Sequence, residues 1–355
     1  MSQAFRELLK KIGSGPHTGK SLSREEAKAA TLMMLHQTAT PAQIGAFMIA
    51  HRIKRPTPPE LAGMLDAYDQ LGPQVGAIAS AQPVIVFGIP YDGRSRTAPV
   101  LPLTALILAA AGQPVLMHGG TRMPTKYGIS LTELWQGLGV DWTYLSLAQV
   151  QEGLAQTRLG YVYLPEHFPL AQALVPYRDQ IGKRPPFATL ELLWCPYAGD
   201  AHLISGFVHP PTEINLQATL ALRGTHHYTT VKGLEGSCDL PCDRTAIVGY
   251  HPPEAELQRL LLAPRDYNLG GRAVPLADEG ILLHQMQQAL KGQDCDLLPA
   301  VLWNGGFYLW HTGCCADLSQ GIAQTMELLQ SGLVLAQLAQ LQQWHQTQKS
   351  LATFA

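Results

Sequence analysis

The sequence predicts an α/β fold in two parts. These are a small N-terminal helical domain over residues 1–75 and a large α/β domain over residues 80–355 with a largely parallel central sheet. Helix-start signals are frequent in the first part, and from Pro83 onward short β-branched or apolar runs alternate with helical stretches. A large core is expected, because 46% of the 355 residues are hydrophobic and 15% are charged. Some helices of the second part are expected to pack back on the first.

Each predicted N-terminal helix begins at a recognisable cap. Ser23 and Glu26 have the spacing of a capping box, in which a hydroxyl and a carboxylate satisfy the first free N–H groups of a helix. Thr40 and Thr57 are each followed by proline at the first helical position and by glutamine or glutamate at the third. The sequence therefore predicts three consecutive capped helices.

The second part contains alternating strand and helix patterns. Strands are predicted over residues 83–88, 113–120, 160–165, 202–210, 226–233 and 245–250. Helices are predicted over residues 101–112 and 214–224, with a C-terminal helical run over 318–346 that is interrupted at Gly332. Such alternation is typical of a parallel sheet with crossover helices.

Composition narrows the class of protein. The longest apolar runs are broken by proline or threonine and are too short to cross a bilayer. The N-terminus is amphipathic and lacks the pattern of a secretion signal. Six cysteines without C-x-x-C spacing favour reduced thiols in a cytoplasmic protein. The net charge is −2, so any nucleic-acid binding must depend on a local basic patch.

The segment from Phe87 to Pro99 is the first that suggests chemistry. It lies between a predicted strand and a predicted helix, where α/β proteins present backbone N–H groups to phosphate. A backbone phosphate site would favour glycine and small hydroxyl residues, but this loop also carries bulky residues. These are Pro90, Tyr91, Arg94 and Arg96. The loop is therefore a working phosphate site, a remodelled one or a surface turn.

Five segments carry a family resemblance, in order along nearly the whole chain. They are LSREEAKAATLMMLHQTATPAQIGAFMIAHRIKRPTPPELAGML, AAAGQPVLMHGG, YLPEHFP, VKGLEGSCDLP and WNGGFYLWHTGCCADLSQGI. The segments resemble the anthranilate phosphoribosyltransferase family. The resemblance implies a site in the cleft between the two domains. It also implies a transferase that binds phosphoribosyl pyrophosphate with Mg²⁺ and joins an aromatic amine to ribose C1, releasing pyrophosphate.

The chain keeps only part of the family's phosphate loop, Gly-Thr-Gly-Gly-Asp. Gly88 and Asp92 match that loop. Ile89 removes a hydroxyl, and Pro90 removes a backbone donor. The polar Asn-Ile-Ser-Thr segment that follows in the family falls around residues 98–102, which are apolar here.

A second family motif, Lys-His-Gly-Asn-Arg, aligns with residues 117–121 and has lost its lysine and asparagine. The family's serine pair aligns with Pro124 and Thr125, and Lys126 follows. Four cations are expected near the same predicted cleft and would serve either class of anionic ligand, a phosphorylated compound or nucleic acid: Arg94, Arg96, Arg122 and Lys126. They indicate a remodelled site that binds anions through side chains. The candidate phosphate- and substrate-binding residues are Gly88, Tyr91, Asp92, Gly93, Arg94, Arg96, His118, Gly119, Thr121, Arg122, Thr125 and Lys126.

The family's Asp-Glu metal pair aligns with Cys238 and Asp239, so one carboxylate is lost. Glu235 is close enough in sequence to replace it, and Asp239 with Glu235 is therefore the candidate Mg²⁺ site. The family arginine that would pair with the anthranilate carboxylate aligns with Glu166, a charge reversal that would repel this acceptor. The sequence identifies no catalytic residue.

Two classes of function remain open. One is a glycosyl- or phosphoribosyltransferase acting on a phosphorylated sugar or nucleotide, with an acceptor other than anthranilate. The other is a non-catalytic binder of nucleotide or single-stranded nucleic acid, because the loop resembles the Pro-x-Tyr-x-Gly-x-Arg form of a divergent family branch for which such binding has been proposed. No membrane partner is expected. The resemblance also implies a homodimer formed through the helices that contain Met33, Met34 and Phe47.

Overall fold

The computed structural model describes residues 3–15, 17–276 and 278–353. Its N-terminal part is a bundle of four helices, α1 (Gln3–Gly13), α2 (Arg24–Leu35), α3 (Pro41–Lys54) and α4 (Pro58–Leu71). The capping boxes at Ser23 and Thr40 are both present, as predicted. At Thr57 the carboxylate of Glu60 accepts the backbone N–H at 2.7 Å, which caps α4.

The second part is built on one sheet of seven strands. These are β1 (Val84–Gly88), β2 (Val115–Gly119), β3 (Leu159–Tyr163), β4 (Ala201–Gly206), β5 (Tyr228–Val231), β6 (Ala246–His251) and β7 (Gln258–Leu262). Their order is β3-β2-β1-β4-β5-β6-β7, and the pairings are parallel except for those that β6 makes with β5 and with β7, which are antiparallel. The predicted α/β fold with a largely parallel sheet is confirmed, and so are all six predicted strands.

The remaining helices cover the sheet or pack back on the bundle. They are α5 (Leu101–Ala110), α6 (Leu131–Gly137), α7 (Leu147–Thr157), α8 (Leu164–His167), α9 (Pro169–Gln172), α10 (Val175–Gln180), α11 (Phe187–Leu193), α12 (Pro210–Leu222), α13 (Glu279–Leu290), α14 (Leu298–His311), α15 (Leu318–Gln330) and α16 (Leu333–Thr353). No helix in the described ranges is long and apolar enough to cross a membrane.

The strand order places a crevice beside the end of β1. The chain proceeds from β1 to β2 and β3 on one side of the sheet, and then returns to β4 on the other side of β1. In open α/β sheets the ligand site lies at this reversal, outside the carboxyl ends of the strands. The loop that begins at Gly88 leaves the sheet at this point.

Charged contacts attach the helical bundle to the α/β part. Arg223, which follows α12, forms ion pairs with Asp66 and Asp69 of α4. Asp66 also accepts two hydrogen bonds from Arg24, at 2.5 and 2.8 Å. Burial alone would raise the pKa of Asp66, but Arg24 and Arg223 lower it. These pairs hold α4 against α12.

Replacement of Asp66 tests this attachment. Asp66→Asn leaves Arg24 and Arg223 without their shared carboxylate and should lower the free energy of unfolding by about 2 kcal/mol in urea denaturation at pH 7. The control is Asp243→Asn, whose partner Arg244 is the next residue and about half exposed, at 48%. That variant should lose less than about 0.5 kcal/mol. Equal losses would contradict the role given to Asp66.

Candidate anion site at the end of the first strand

The loop after β1 has little room for side chains at its glycines. A Cβ on Gly88 would lie 2.1 Å from the carbonyl oxygen of Leu192 in α11. Gly93 has a φ of 74°, and a Cβ there would lie 2.4 Å from the carbonyl oxygen of Ile129. Both positions therefore require glycine, one because of close backbone approach and the other also because of its left-handed conformation.

Arg94 points into the protein and is buried between two carboxylates. Its Nη1 donates to Asp239 at 2.7 Å and to the Ser237 hydroxyl at 2.9 Å, and its Nε donates to Glu235 at 3.3 Å. Its Nη2 contacts the hydroxyl of Thr97. Only 6% of the side chain is exposed. The arginine expected to bind phosphate is therefore already paired within the protein.

The carboxylate of Glu235 accepts hydrogen bonds from three consecutive backbone N–H groups. Ser95, Arg96 and Thr97 donate at 3.2, 3.0 and 3.0 Å, and the Thr97 hydroxyl donates at 3.0 Å. Burial alone would raise the pKa of Glu235, but these N–H groups and Arg94 lower it to about 2. The carboxylate is therefore ionised at neutral pH.

Asp92 is fully buried beside two further cations. Lys126 Nζ lies 3.5 Å from one carboxylate oxygen and Arg184 Nε lies 3.4 Å from the other. Within the part of the chain that the structure describes, neither oxygen of Asp92 has a hydrogen-bond donor. Burial lowers the pKa of Lys126, although Asp92 opposes this effect. Asp92 therefore has a cation near each of its two carboxylate oxygens.

Tyr91 and His118 form a buried pair next to the loop. The tyrosine hydroxyl contacts His118 Nδ1, and the His118 ring lies edge-on to Trp194 with centroids 5.3 Å apart. The Tyr91 N–H donates to Glu191 at 2.8 Å, and Glu191 pairs with the buried Arg178. Tyr91 therefore packs inside the protein instead of offering a surface for stacking. Burial lowers the pKa of His118 to about 3.

The other residues that the sequence predicted for phosphate or substrate binding lie farther from the Arg94 cluster or have other partners. Arg96 is 78% exposed, with its Nε 3.8 Å from Glu235. Arg122 pairs with Glu133 at 2.6 Å and with Glu279, so its charge is neutralised away from the loop. Thr121 is exposed, Thr125 is half-buried, and Gly119 is buried at the end of β2. The structure thus gathers Asp92, Arg94, Lys126 and Glu235, but directs Arg122 to a different set of partners.

The residues proposed for Mg²⁺ do not fit that ion. Asp239 and Glu235 both contact the Arg94 guanidinium, and Asp239 also accepts the Val100 N–H at 3.1 Å. Among the described residues, no three His, Cys, Asp or Glu side chains are placed to hold a metal. Cys238 is buried, with its sulfur near the carbonyl oxygens of two strand residues. A cationic side chain therefore stands where the resemblance places a metal.

A cavity of about 330 Å³ adjoins this cluster on the side of the helical bundle. Its lining includes Arg52 of α3, Pro90 of the loop, Arg184, His209 and Gly236. Arg52 donates to the carbonyl oxygen of Arg184 at 2.6 Å. The volume suits a small ligand, and two arginines favour an anionic one.

Sequence reasoning did not identify Arg184, Arg178 or Glu191. Arg184 lies in the segment after α10, and Glu191 lies in α11, a helix that was not predicted. One signal in the sequence could have identified Glu191, which is a charged residue inside the apolar run LELLW. A charge buried in such a run requires an oppositely charged partner.

Comparison with known proteins agrees with the fold. The helical bundle domain of a glycosyl transferase family matches residues 6–72, and the α/β domain of that family matches residues 94–335. The chain is therefore a glycosyl transferase family protein. Anthranilate phosphoribosyltransferase from Afipia carboxidovorans is 30% identical over 346 residues, which is 95% of this chain and 97% of that protein. The chain belongs to the anthranilate phosphoribosyltransferase family.

Solved structures show the same fold. Anthranilate phosphoribosyltransferase from Thermus thermophilus covers 97% of this chain and 100% of its own, with a TM-score of 0.76 and 20% identity. The enzyme from Saccharomyces cerevisiae in complex with PRPP and Mg covers 98% of this chain and 99% of its own, with a TM-score of 0.81 and 16% identity.

The pKa of His118 leads to a test of its burial. Because this pKa is about 3 in the folded protein and 6.5 otherwise, the neutral imidazole contributes stability above pH 6.5 that is lost as the pH falls toward 3. His118→Gln should reduce the pH dependence of the unfolding free energy below pH 6.5 by about 1.4 kcal/mol per pH unit. Urea unfolding at several pH values measures this slope, and identical slopes for both proteins would contradict the burial of a neutral imidazole. Above pH 7.5 the two curves should run parallel.

Proposed function

We propose that this protein binds a phosphorylated sugar or nucleotide, of the kind used by phosphoribosyl transfer, at the end of β1 without a divalent metal. The position of Arg94 carries this proposal. Its guanidinium contacts Asp239, which aligns with the family's metal pair, and Glu235, the candidate replacement for the lost carboxylate. Arginine cannot lose its proton in a protein and binds anionic oxygens through several N–H donors. A fixed positive charge thereby stands between the carboxylates that would otherwise be available to a divalent metal.

The cavity beside the loop is the proposed ligand site. Arg184 and Arg52 line it and supply positive charge for a phosphate group. Asp92 is fully buried and lies within 3.5 Å of Lys126 and Arg184, so it holds Arg184 in place at the cavity wall. The cavity thus offers two arginines to an anionic group. In a transfer reaction, the same cations would stabilise the charge that develops on the leaving pyrophosphate.

We also propose that anthranilate is not the acceptor. Arg178, a buried arginine near the cleft, is neutralised by Glu191 and would be a weak partner for an anthranilate carboxylate. The cavity that Arg178 lines with Tyr68 and Phe187 is only about 20 Å³, which is room for roughly one water molecule. Glu166, the residue aligned with the family arginine, is exposed and negative.

Single-stranded nucleic acid is the alternative partner, and the geometry favours it less. Two of the four cations on which that hypothesis depended, Arg94 and Arg122, are paired with carboxylates. A nucleic-acid groove needs a continuous row of available positive charge. Arg96 is available, but one exposed arginine does not form such a row.

Calorimetric titration with phosphoribosyl pyrophosphate tests the proposed function. Binding should be equally tight with Mg²⁺ and with EDTA, because Arg94 already provides the cation. Arg184→Ala should weaken binding about tenfold, the effect of losing one charge-assisted hydrogen bond. The control Arg244→Ala removes an exposed arginine that pairs with its neighbour Asp243 and should bind as the wild type does.

Two results would overturn the proposal. One is binding that disappears in EDTA and returns with Mg²⁺, which would assign the site to a metal. The other is no binding of phosphoribosyl pyrophosphate together with tight, salt-sensitive binding of a single-stranded oligonucleotide, which would favour the alternative partner. Loss of anthranilate fluorescence in the presence of the donor would separately contradict the proposal about the acceptor.

A homodimer remains part of the proposal, but through different side chains. Met34 and Phe47 lie in the bundle's own core, with 0% and 1% exposure, and Met33 packs against that core. The outer face of α3 instead lines an apolar groove that includes Ile49 and Ile53. We propose that a second copy of the chain covers this groove.

Light scattering tests the dimer. Ile53→Lys places a charge on a side chain that is 76% exposed and should convert the dimer into monomer, because an unpaired lysine would be buried at the interface. Leu261→Lys is the matched control, since Leu261 is 64% exposed on the edge strand β7, and this variant should remain dimeric. A monomeric wild-type protein at assay concentration would contradict the proposed dimer.

A further inference from the structure

The backbone at residues 95–97 has the form of an anion-binding nest. Ser95, Arg96 and Thr97 direct three consecutive N–H groups at one point, where the Glu235 carboxylate lies 3.0 to 3.2 Å away. Hydroxyls of Ser95 and Thr97 donate to the same carboxylate at 3.3 and 3.0 Å. Successive backbone N–H groups of this kind are a recurrent site for phosphate.

Cationic side chains surround the same point. Arg94 Nε lies 3.3 Å from the Glu235 carboxylate, and Lys126 Nζ and Arg96 Nε each lie 3.8 Å from it. Glu235 shares Arg94 with Asp239, which lies 2.7 Å from the guanidinium, and shares Lys126 with Asp92, which lies 3.5 Å from the ammonium group. Three backbone N–H groups and two hydroxyls also face the Glu235 carboxylate. This donor set matches a phosphate group better, because phosphate has more acceptor oxygens and a charge approaching −2.

Glu235 has a backbone conformation that is unfavourable for a glutamate. Its φ of 55° and ψ of 20° lie in the left-handed region, which an L-residue occupies at a cost of roughly 1 kcal/mol. Gly233 and Gly236 flank the short turn that contains it, and Gly236 has a φ of 85°. The contacts of the carboxylate with the nest, rather than the turn itself, keep the side chain inward.

The same turn borders the proposed ligand cavity. Gly236 and Pro90 are both part of the lining of the 330 Å³ cavity. The cavity therefore lies beside the residue that follows Glu235, while Glu235 and the nest are outside its lining. The position of the cavity next to this turn is a second observation, separate from the hydrogen bonds of Glu235.

We propose that the nest at residues 95–97, together with Arg94 and Lys126, is a phosphate-binding site that Glu235 occupies as an internal substitute for the ligand. The phosphate group of the ligand displaces this carboxylate, which then turns toward the cavity. The inference rests on the proposed function, because it takes the ligand to be a phosphorylated sugar or nucleotide. Beyond the proposed function, the inference gives the position of one phosphate group of the ligand and names the Glu235 carboxylate as the group that competes with this phosphate.

Calorimetric titration with inorganic pyrophosphate in EDTA tests the competition. Glu235→Gly removes the carboxylate and suits the left-handed backbone, and it should bind pyrophosphate at least about tenfold more tightly than the wild type. Glu235→Gln keeps the size of the side chain but removes its charge and replaces one acceptor oxygen with an NH2 donor, and it should show a gain of the same sign. Circular dichroism verifies that both variants are folded.

Glu254→Gly is the matched control. Glu254 is also a glutamate at positive φ, 60°, but it is exposed on the turn between β6 and β7. Its replacement should leave pyrophosphate affinity unchanged. An equal gain in this control would show that net charge alone is responsible, and it would overturn the inference.

The wild-type titration with phosphoribosyl pyrophosphate separates the two proposals. If the wild type binds that donor in EDTA and neither folded Glu235 variant gains affinity for pyrophosphate, the competing contact is wrong and the proposed function stands. If the wild type and both variants bind neither compound, the proposed function fails together with the inference. A gain restricted to the Glu235 variants supports the nest as the phosphate site.

Discussion

The ion-pair cluster around Arg94 is the constraint on which the site depends. A buried guanidinium is tolerated only when carboxylates and hydrogen-bond acceptors surround it, and Asp239, Glu235 and Ser237 supply them. These partners lie in the segment after β5, whereas Arg94 lies in the loop after β1. The cluster therefore joins two segments at the point where strand order reverses, and it gives that crevice its shape and its charge.

A cationic side chain such as Arg94 differs from a bound metal ion in two ways. It cannot dissociate, so the electrostatic environment of the loop is independent of metal concentration. It also has a fixed geometry, since the guanidinium is planar and its donors point in set directions. The position of Arg94 is set by Asp239, while Glu235 lies on a turn bordered by glycines and faces a second set of donors. In the proposal made above, Asp239 is the fixed partner of Arg94 and Glu235 is the partner that a phosphate group replaces.

Much of the fold could be predicted because its signals are local. The caps at Ser23 and Thr40 need only residues three positions apart, and the strands follow from short apolar runs. β7 was missed because it is an edge strand of mixed burial with the sequence QRLLL, which lacks β-branched residues. The short helices between residues 131 and 193 were missed because they lack the long periodic pattern that identifies a helix.

The sequence by itself determined the fold class, the glycine-rich turn after β1 and the collection of basic residues near it. The tertiary structure decided which carboxylate each cation meets. Arg94 meets residues more than 140 positions away, and Arg122 meets Glu279, at a separation of 157. Such pairings depend on how crossovers bring distant loops to one edge of the sheet. The sequence alone does not show which of the acidic residues lies near a given arginine, because any of them would attract its charge. The basic residues could thus be identified from the sequence, whereas their acidic partners are determined by the topology of the sheet.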